Sequence, residues 1–165
     1  ITSVSMTPID VHLMVNNPKE HLDYFIDLGV NRITFHYEAC SNKDEIISIA
    51  KYLNENRVRV GIAVNPDTRI EEIFDVLPYI HMVLVMSVVP GKGGQKFIPE
   101  TLDKVELLRK YCEENDLDMD IEVDGGINKE TGKEAVEAGA NILVSGNYVL
   151  NADDYKEAIN NLKNL

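Results

Sequence analysis

The sequence predicts an α/β protein built on a parallel sheet, and three observations lead to this fold class. Short runs rich in valine and isoleucine recur along the chain, as in strands that are buried on both faces. Amphipathic segments with helix start and stop signals lie between these runs. Strand and helix alternate without a linker or a low-complexity segment, so we expect βαβ units in a single domain over residues 1–165.

Six runs have the strand pattern and six segments have the helix pattern. The strands are expected at Ile9–Val15, Arg32–His36, Val58–Val64, Met82–Met86, Asp120–Val123 and Asn141–Ser145. The helices are expected over residues 18–29, 41–56, 67–77, 99–115, 128–140 and 153–165. These elements fit either an open, doubly wound sheet or part of a closed barrel of eight βα units, which typically needs about 250 residues.

Composition excludes several classes of partner. The 165 residues are 44% hydrophobic and can bury one core. A net charge of −12 would repel nucleic acid and anionic membranes, so a phosphate could bind only in a local nest. Charges interrupt every apolar run before it reaches membrane-spanning length. Cys40 and Cys112 have neither metal-site nor disulfide-framework spacing, which predicts a reducing, cytoplasmic compartment.

Glycine-rich turns follow three consecutive strand runs. They read "PGKGGQ" at Pro90–Gln95, "VDGGI" at Val123–Ile127 and "VSGNYV" at Val144–Val149. Any one of them could be a tight βα turn. Together, at the carboxyl ends of strands, they favour an anion nest of the kind that late barrel loops form around a substrate phosphate. A dinucleotide site is disfavoured, because the first turn, "VNNPKE", lacks G-x-G-x-x-G.

The motifs resemble, in order and over essentially the whole chain, those of the ribulose-phosphate 3-epimerase family. They are "DVHLMV", "ITFHYEA", "GIAVNPDT", "VLVMSVVPGKGGQKFIP", "IEVDGGIN" and "GANILVSGNYV". The resemblance implies a ribulose-phosphate-binding (β/α)8 barrel of TIM-barrel type, with about six βα units present in this chain. It also implies a metal-dependent isomerase of the pentose phosphate pathway, which converts D-ribulose 5-phosphate to D-xylulose 5-phosphate.

This chemistry needs two acid/base groups. Inverting C3 of a ketose phosphate means removing a proton next to the C2 carbonyl and returning one to the opposite face. A divalent metal would stabilise the enediolate between the two steps. The resemblance makes Asp124 one catalytic carboxylate and a metal ligand, and His12 a second ligand, of Zn²⁺, Fe²⁺, Mn²⁺ or Co²⁺. From the residues alone, His12 could be a core histidine and Asp124 could form an Asx-type turn.

The resemblance also implies which residues bind the sugar phosphate. They are His12, Met14, Met86, Gly91, Lys92, Gly93, Gly94, Asp124, Gly125, Gly126, Gly146 and Asn147. Periodicity alone would make the two methionines ordinary core residues. We expect His36 and Glu38, at the end of the second strand, to line the pocket without a chemical role.

The chain departs from the family pattern in three ways. It has no counterpart of the family's first two strands, which carry a His–Asp metal pair and the opposing catalytic aspartate. Lys92 replaces an aromatic residue and Asn147 replaces a serine. We therefore expect either a segment of a longer enzyme or a homo-oligomer in which another copy covers the open edges. The alternatives are an allulose-6-phosphate 3-epimerase and a non-catalytic phosphosugar-binding barrel remnant.

Overall fold

One parallel sheet organises the molecule, whose computed structural model describes residues 3–91 and 94–165. Within these residues the strands are β1 (Asp10–Leu13), β2 (Arg32–His36), β3 (Arg59–Val64), β4 (Met82–Met86), β5 (Asp120–Asp124) and β6 (Ile142–Val144). Their order in the sheet follows their order in the chain, and every neighbouring pair is parallel. A doubly wound sheet would reverse its order, so the topology is that of a barrel wall. All six predicted strands are confirmed.

The sheet is strongly curled. Arg32 on β2 donates a hydrogen bond to Asp120 on β5 at 2.9 Å, although β3 and β4 lie between them in the sheet. His12 on β1 lies 3.9 Å from Asp124 on β5. Such contacts require the inner face to close on itself, and the six strands are therefore part of a TIM-type barrel.

Helices connect the strands and cover the outer face of the sheet. The α-helices are α1 (Leu22–Asp27), α2 (Lys43–Glu55), α3 (Leu102–Glu114), α4 (Lys129–Glu137), α5 (Asn147–Leu150) and α6 (Tyr155–Lys163). The 3₁₀ helices are Pro18–His21, Tyr37–Ala39, Ile70–Tyr79 and Pro99–Thr101. Within the part of the chain that the structure describes, no helix combines the length and apolar character that a membrane span requires.

Two connections differ from the sequence prediction. Residues 67–77 were expected to form an α-helix, but the structure has a 3₁₀ helix at Ile70–Tyr79. The buried side chains of this helix, Ile70, Ile73, Val76 and Leu77, have spacings that suit either helix type, whereas Pro78 within it cannot donate the hydrogen bond that an α-helix needs. The one-turn helix α5 follows β6 where only a glycine turn was expected.

The strands separate two apolar layers. The larger layer, between sheet and helices, includes the fully buried Ile33, Phe35, Ile62, Val83, Val85 and Ile121. The smaller layer fills the inside of the curl with Ala63, Met82, Leu84, Met86 and Val88. Because side chains alternate along a strand, Asp124, paired with Met86 in the ladder, shares this inner face. The site residues are thereby collected inside the curl, at the carboxyl ends of the strands.

Candidate functional site

A cavity of about 620 Å³ opens at the carboxyl ends of β4, β5 and β6. The predicted site residues on its wall are Met14, Met86, Gly91, Gly94, Asp124, Gly125, Gly126, Gly146 and Asn147. The structure thus brings together side chains and glycines that are up to 133 positions apart, from 14 to 147. Lys92 and Gly93 were also predicted to bind substrate, but they lie outside the described residues.

Glycine is needed where the loops of this cavity approach each other. Gly126 has a positive φ of 64°, and a Cβ there would lie 2.6 Å from the backbone nitrogen of Phe97. A Cβ on Gly94 would lie 2.8 Å from Nδ2 of Asn147. The loop after β4 therefore packs against the side chain of Asn147 at the start of α5 and against the loop after β5, where a larger residue than Gly126 would meet the backbone.

Ser87, which sequence analysis did not identify, connects these loops through hydrogen bonds. Its hydroxyl donates to the carbonyl of Gly125 at 2.7 Å, and its backbone N–H donates to the carbonyl of Asp124 at 2.8 Å. Its own carbonyl accepts the N–H of Ile98 at 2.8 Å. Ser87 is completely buried, so these bonds hold the end of β5 and the glycine loop in one arrangement.

Asp124 and His12 face each other across the interior. Oδ2 of Asp124 lies 3.9 Å from Nδ1 of His12, and the two side chains are 26% and 18% exposed. Burial raises the pKa of Asp124, and no lysine or arginine in the described residues pairs with it. Burial, together with the nearby His36, lowers the pKa of His12 to about 4. At neutral pH, His12 is therefore an uncharged imidazole beside a carboxylate.

His12 also contacts His36, which in turn contacts Glu38 farther from the cavity. Nε2 of His12 lies 2.9 Å from Nε2 of His36, and Nδ1 of His36 lies 3.3 Å from Oε2 of Glu38. Sequence reasoning placed both residues at the pocket but gave them no role. The available signal was their position at the carboxyl end of the strand that neighbours His12.

Glu38 also anchors the loop that follows β3. Its Oε1 accepts hydrogen bonds from the backbone N–H of Asn65 at 2.8 Å and from the hydroxyl of Thr68. Burial by itself would raise the pKa of Glu38, but the hydrogen bonds from His36, Thr68 and Asn65 outweigh it and lower the pKa to about 2. Glu38 is an anion that acts only as an acceptor.

Imidazole nitrogen and carboxylate oxygen are suitable ligands for a divalent metal. His12 and Asp124 present one of each, and the carboxylate, which no lysine or arginine of the described residues pairs with, supplies negative charge where a cation would lie. The residues that the structure describes contain no group of three or more histidine, cysteine or acidic side chains able to hold a metal. His12 and Asp124 thus fit a divalent ion as part of a ligand set.

A separate ionic cluster occupies the opposite end of the interior. Arg32 donates to Asp10 at 3.2 Å and to Asp120 at 2.9 Å, and it lies 3.9 Å from Glu122. Burial, aided by the nearby Asp10, raises the pKa of Glu122 to about 7, although Arg32 opposes the shift. This cluster links β1, β2 and β5, so we assign it a role in closing the curl.

Sequence comparisons agree with the motifs. The family described as "Ribulose-phosphate 3 epimerase family" matches residues 1–150. Ribulose-phosphate 3-epimerase of Eremothecium gossypii is 42% identical over 154 residues, 93% of this chain and 62% of that protein. The Bacillus subtilis protein of the same name is 38% identical over 164 residues, 99% of this chain and 74% of that protein. The chain thus spans about two thirds of the length of these relatives.

Solved structures share the architecture at low sequence identity. 3-Hexulose-6-phosphate synthase from Salmonella typhimurium matches with a TM-score of 0.69 at 17% identity, over 96% of this chain and 72% of that one. KGPDC from Streptococcus mutans matches with a TM-score of 0.69 at 14% identity, over 99% and 73% of the respective chains. These two likenesses support the barrel architecture. On the family match and the sequence relatives, this chain belongs to the ribulose-phosphate 3-epimerase family.

Proposed function

We propose that the protein is a metal-dependent ketose-phosphate 3-epimerase that interconverts D-ribulose 5-phosphate and D-xylulose 5-phosphate. The observation that carries the proposal is Asp124, a carboxylate without a cationic partner in the described residues, between His12 and a glycine-walled cavity. The names of the relatives at 38–42% identity support the same reaction.

Asp124 is the proton-transfer group in this proposal. Its carboxylate lines the cavity, and its raised pKa makes it a stronger base than an exposed aspartate. It would accept the C3 proton from one face of the substrate. Completing the inversion requires a second acid/base group on the other face, which the family resemblance places outside this chain.

The glycine loops are suited to the substrate's phosphate. Gly91, Gly94, Gly125, Gly126 and Gly146 all line the cavity, and glycines allow backbone N–H groups to approach an anion closely. A chain with a net charge of −12 needs such a local nest to bind an anionic substrate. Met14 and Met86 lie on the same wall and would contact the apolar side of the sugar.

His12 and Asp124 would hold a divalent cation, Zn²⁺, Fe²⁺, Mn²⁺ or Co²⁺. When bound, the ion would stabilise the negative charge that develops on the substrate oxygens. His12 is uncharged at neutral pH and able to donate a lone pair, and Asp124 contributes a negative charge. Solvent, substrate or residues beyond the described ranges would complete the ligand set.

Asp124→Asn tests the assignment, with Asp153→Asn on the exposed surface as the matched control. We expect Asp124→Asn in the full-length protein, supplied with metal, to lower kcat by about 10²- to 10⁴-fold. Asp153→Asn should leave it unchanged. Wild-type protein that binds D-ribulose 5-phosphate without producing the epimer would instead identify a non-catalytic phosphosugar-binding barrel. A higher kcat/KM on D-allulose 6-phosphate would identify the hexulose-phosphate enzyme.

Compartment and assembly complete the proposal. Cys40 and Cys112 are both free thiols, which suits a reducing, cytoplasmic compartment.

In the described sheet, β1 and β6 each have one strand neighbour, and a second copy of the chain could cover such edges in a homo-oligomer. Light scattering that shows a stable monomer would contradict the oligomer.

A further inference from the structure

Four side chains form a continuous row across the carboxyl end of the barrel interior. The row runs from Glu38 through His36 and His12 to Asp124. The separations between the facing atoms are 3.3, 2.9 and 3.9 Å in that order. Each neutral imidazole carries one N–H, so the hydrogen bond at one ring nitrogen decides what the other nitrogen can do.

The hydrogen bonds of Glu38 determine which ring nitrogens in this row carry a proton. Glu38 already accepts from the N–H of Asn65 and the hydroxyl of Thr68, and a carboxylate has no proton to donate. The contact between Glu38 and His36 therefore requires the N–H on Nδ1 of His36. In a neutral imidazole, which carries a single N–H, Nε2 of His36 is then the acceptor.

The same reasoning passes to His12. Because Nε2 of His36 accepts, Nε2 of His12 must carry the proton and donate it across the 2.9 Å contact. Nδ1 of His12 is left with its lone pair. This nitrogen lies 3.9 Å from Oδ2 of Asp124, so two electron-rich atoms face each other with no proton between them.

We propose that Glu38 and His36 are positioning residues, which fix the Nε2–H tautomer of His12 and direct the lone pair of Nδ1 toward Asp124. Metal-binding histidines commonly have their other ring nitrogen held by a partner that ends in a carboxylate, and that partner fixes both tautomer and ring orientation. The tautomer follows from the hydrogen bonds of two neutral imidazoles. Its use in presenting a cation site rests on the proposed function.

Nitrogen-15 NMR of the histidine rings in metal-free protein at neutral pH tests the tautomer directly. We expect a protonated Nε2 and an unprotonated Nδ1 for His12, and the reverse for His36. A protonated Nδ1 on His12 would overturn the inference whether or not the protein is an epimerase. The measurement uses wild-type protein and does not depend on the folding of a variant.

Glu38→Gln tests whether Glu38 determines the tautomers of His36 and His12, with Glu45→Gln on α2 as the matched control. The amide has one acceptor oxygen, which the N–H of Asn65 and the hydroxyl of Thr68 engage, so its NH₂ group turns to His36. Nδ1 of His36 must then accept, which reverses both tautomers. Unchanged tautomers in Glu38→Gln would refute the role of Glu38.

Zn²⁺ affinity, measured by calorimetry without substrate, supplies the second readout. We expect Glu38→Gln to bind Zn²⁺ about 10- to 100-fold more weakly than wild type, while Glu45→Gln binds equally well. Equal affinity in all three proteins would refute the positioning role. If the wild type shows the expected tautomers but turns over no ketose phosphate, the proposed function fails and the tautomer assignment stands.

Discussion

At the scale of single residues, Asp124 is followed directly by Gly125 and Gly126, and this order couples the proposed chemistry to the cavity wall. The carboxylate ends β5, and the two glycines, both with positive φ, turn the chain toward Phe97. The family motif predicted Asp124 and its glycines from sequence. Sequence analysis did not identify Ser87, and it placed His36 and Glu38 at the pocket without a role, because what these residues do depends on contacts between segments that are distant in the chain.

Gly126→Ala should destabilise the protein by about 3 kcal/mol, combining positive-φ strain with overpacking against Phe97. Gly29→Ala is the matched control, since Gly29 also has a positive φ but a Cβ added there would meet no atom within 4 Å. It should cost about 1 kcal/mol. Urea unfolding measures both values, and equal losses would show that the close approach is not required.

Glu38 should make the free energy of unfolding depend on pH in the acidic range. Its pKa is about 2 in the folded protein against 4.5 normally, so the unfolded chain binds more protons between these values. The stabilisation is present above pH 4.5 and is lost as pH falls toward 2. Because the Glu38 side chain is 28% exposed and solvent screens its interactions, we expect a modest effect of about 1 kcal/mol.

The check compares wild type with Glu38→Gln by urea unfolding at pH 7 and at pH 3. Wild type should be the more stable at pH 7, and the difference should shrink at pH 3. His36 and Lys104 also face Glu38, so both proteins are measured under identical conditions. A difference that is constant with pH would contradict the assigned pKa.

At the scale of elements, Lys104 of α3 holds the loop that follows β3. Nζ of Lys104 on α3 donates to the carbonyls of Asn65, Pro66 and Thr68 at 2.9, 2.6 and 2.5 Å. The same loop binds Glu38 through Asn65 and Thr68. Thus α3 supports the loop that anchors the His36–Glu38 pair.

Lys104→Met should lower stability by about 2 kcal/mol, because three backbone carbonyls lose a charged donor. Lys110→Met on the same helix is the matched control, since Lys110 makes an exposed pair with Glu114 and should cost under about 0.5 kcal/mol. Amide hydrogen exchange at Thr68 should quicken in Lys104→Met alone. Unchanged exchange would show that the lysine does not hold the loop.

Element boundaries show what local pattern can predict. β2 and β4 match the sequence prediction residue for residue, because short apolar runs that contain β-branched residues are typical of a buried strand. The helix expected over residues 67–77 has 3₁₀ geometry instead: its apolar residues suit either helix type, and Pro78 removes a hydrogen-bond donor that an α-helix would need. Helix α5 is too short for periodicity to reveal.

At the scale of the whole molecule, the curl depends on charges that no local pattern identifies. Arg32 begins β2 and meets Asp10 at the start of β1 and Asp120 at the start of β5. Their sequence separations of 22 and 88 residues explain why sequence analysis did not find the cluster. It also left the choice between open sheet and barrel to the family resemblance, and strand order then confirmed the barrel.

Arg32→Met should destabilise the protein by about 3 kcal/mol, because it removes a buried cation that faces the buried Glu122 and the partly exposed Asp10 and Asp120. Arg59→Met is the matched control: the Arg59 side chain is 54% exposed, against 13% for Arg32, and it reaches Asp120 at 3.3 Å. It should cost under about 1 kcal/mol. Equal midpoints of urea unfolding for the two variants would contradict the role of Arg32 in closing the curl.

The most direct test of the proposed function follows solvent deuterium into C3 of D-ribulose 5-phosphate by proton NMR. The full-length protein, supplied with Zn²⁺, Mn²⁺ or Fe²⁺, is compared with a chelated sample and with Asp124→Asn. The account predicts deuterium at C3 with wild type and metal, and its loss in both the chelated and the Asp124→Asn samples. Exchange by Asp124→Asn at the wild-type rate would contradict it.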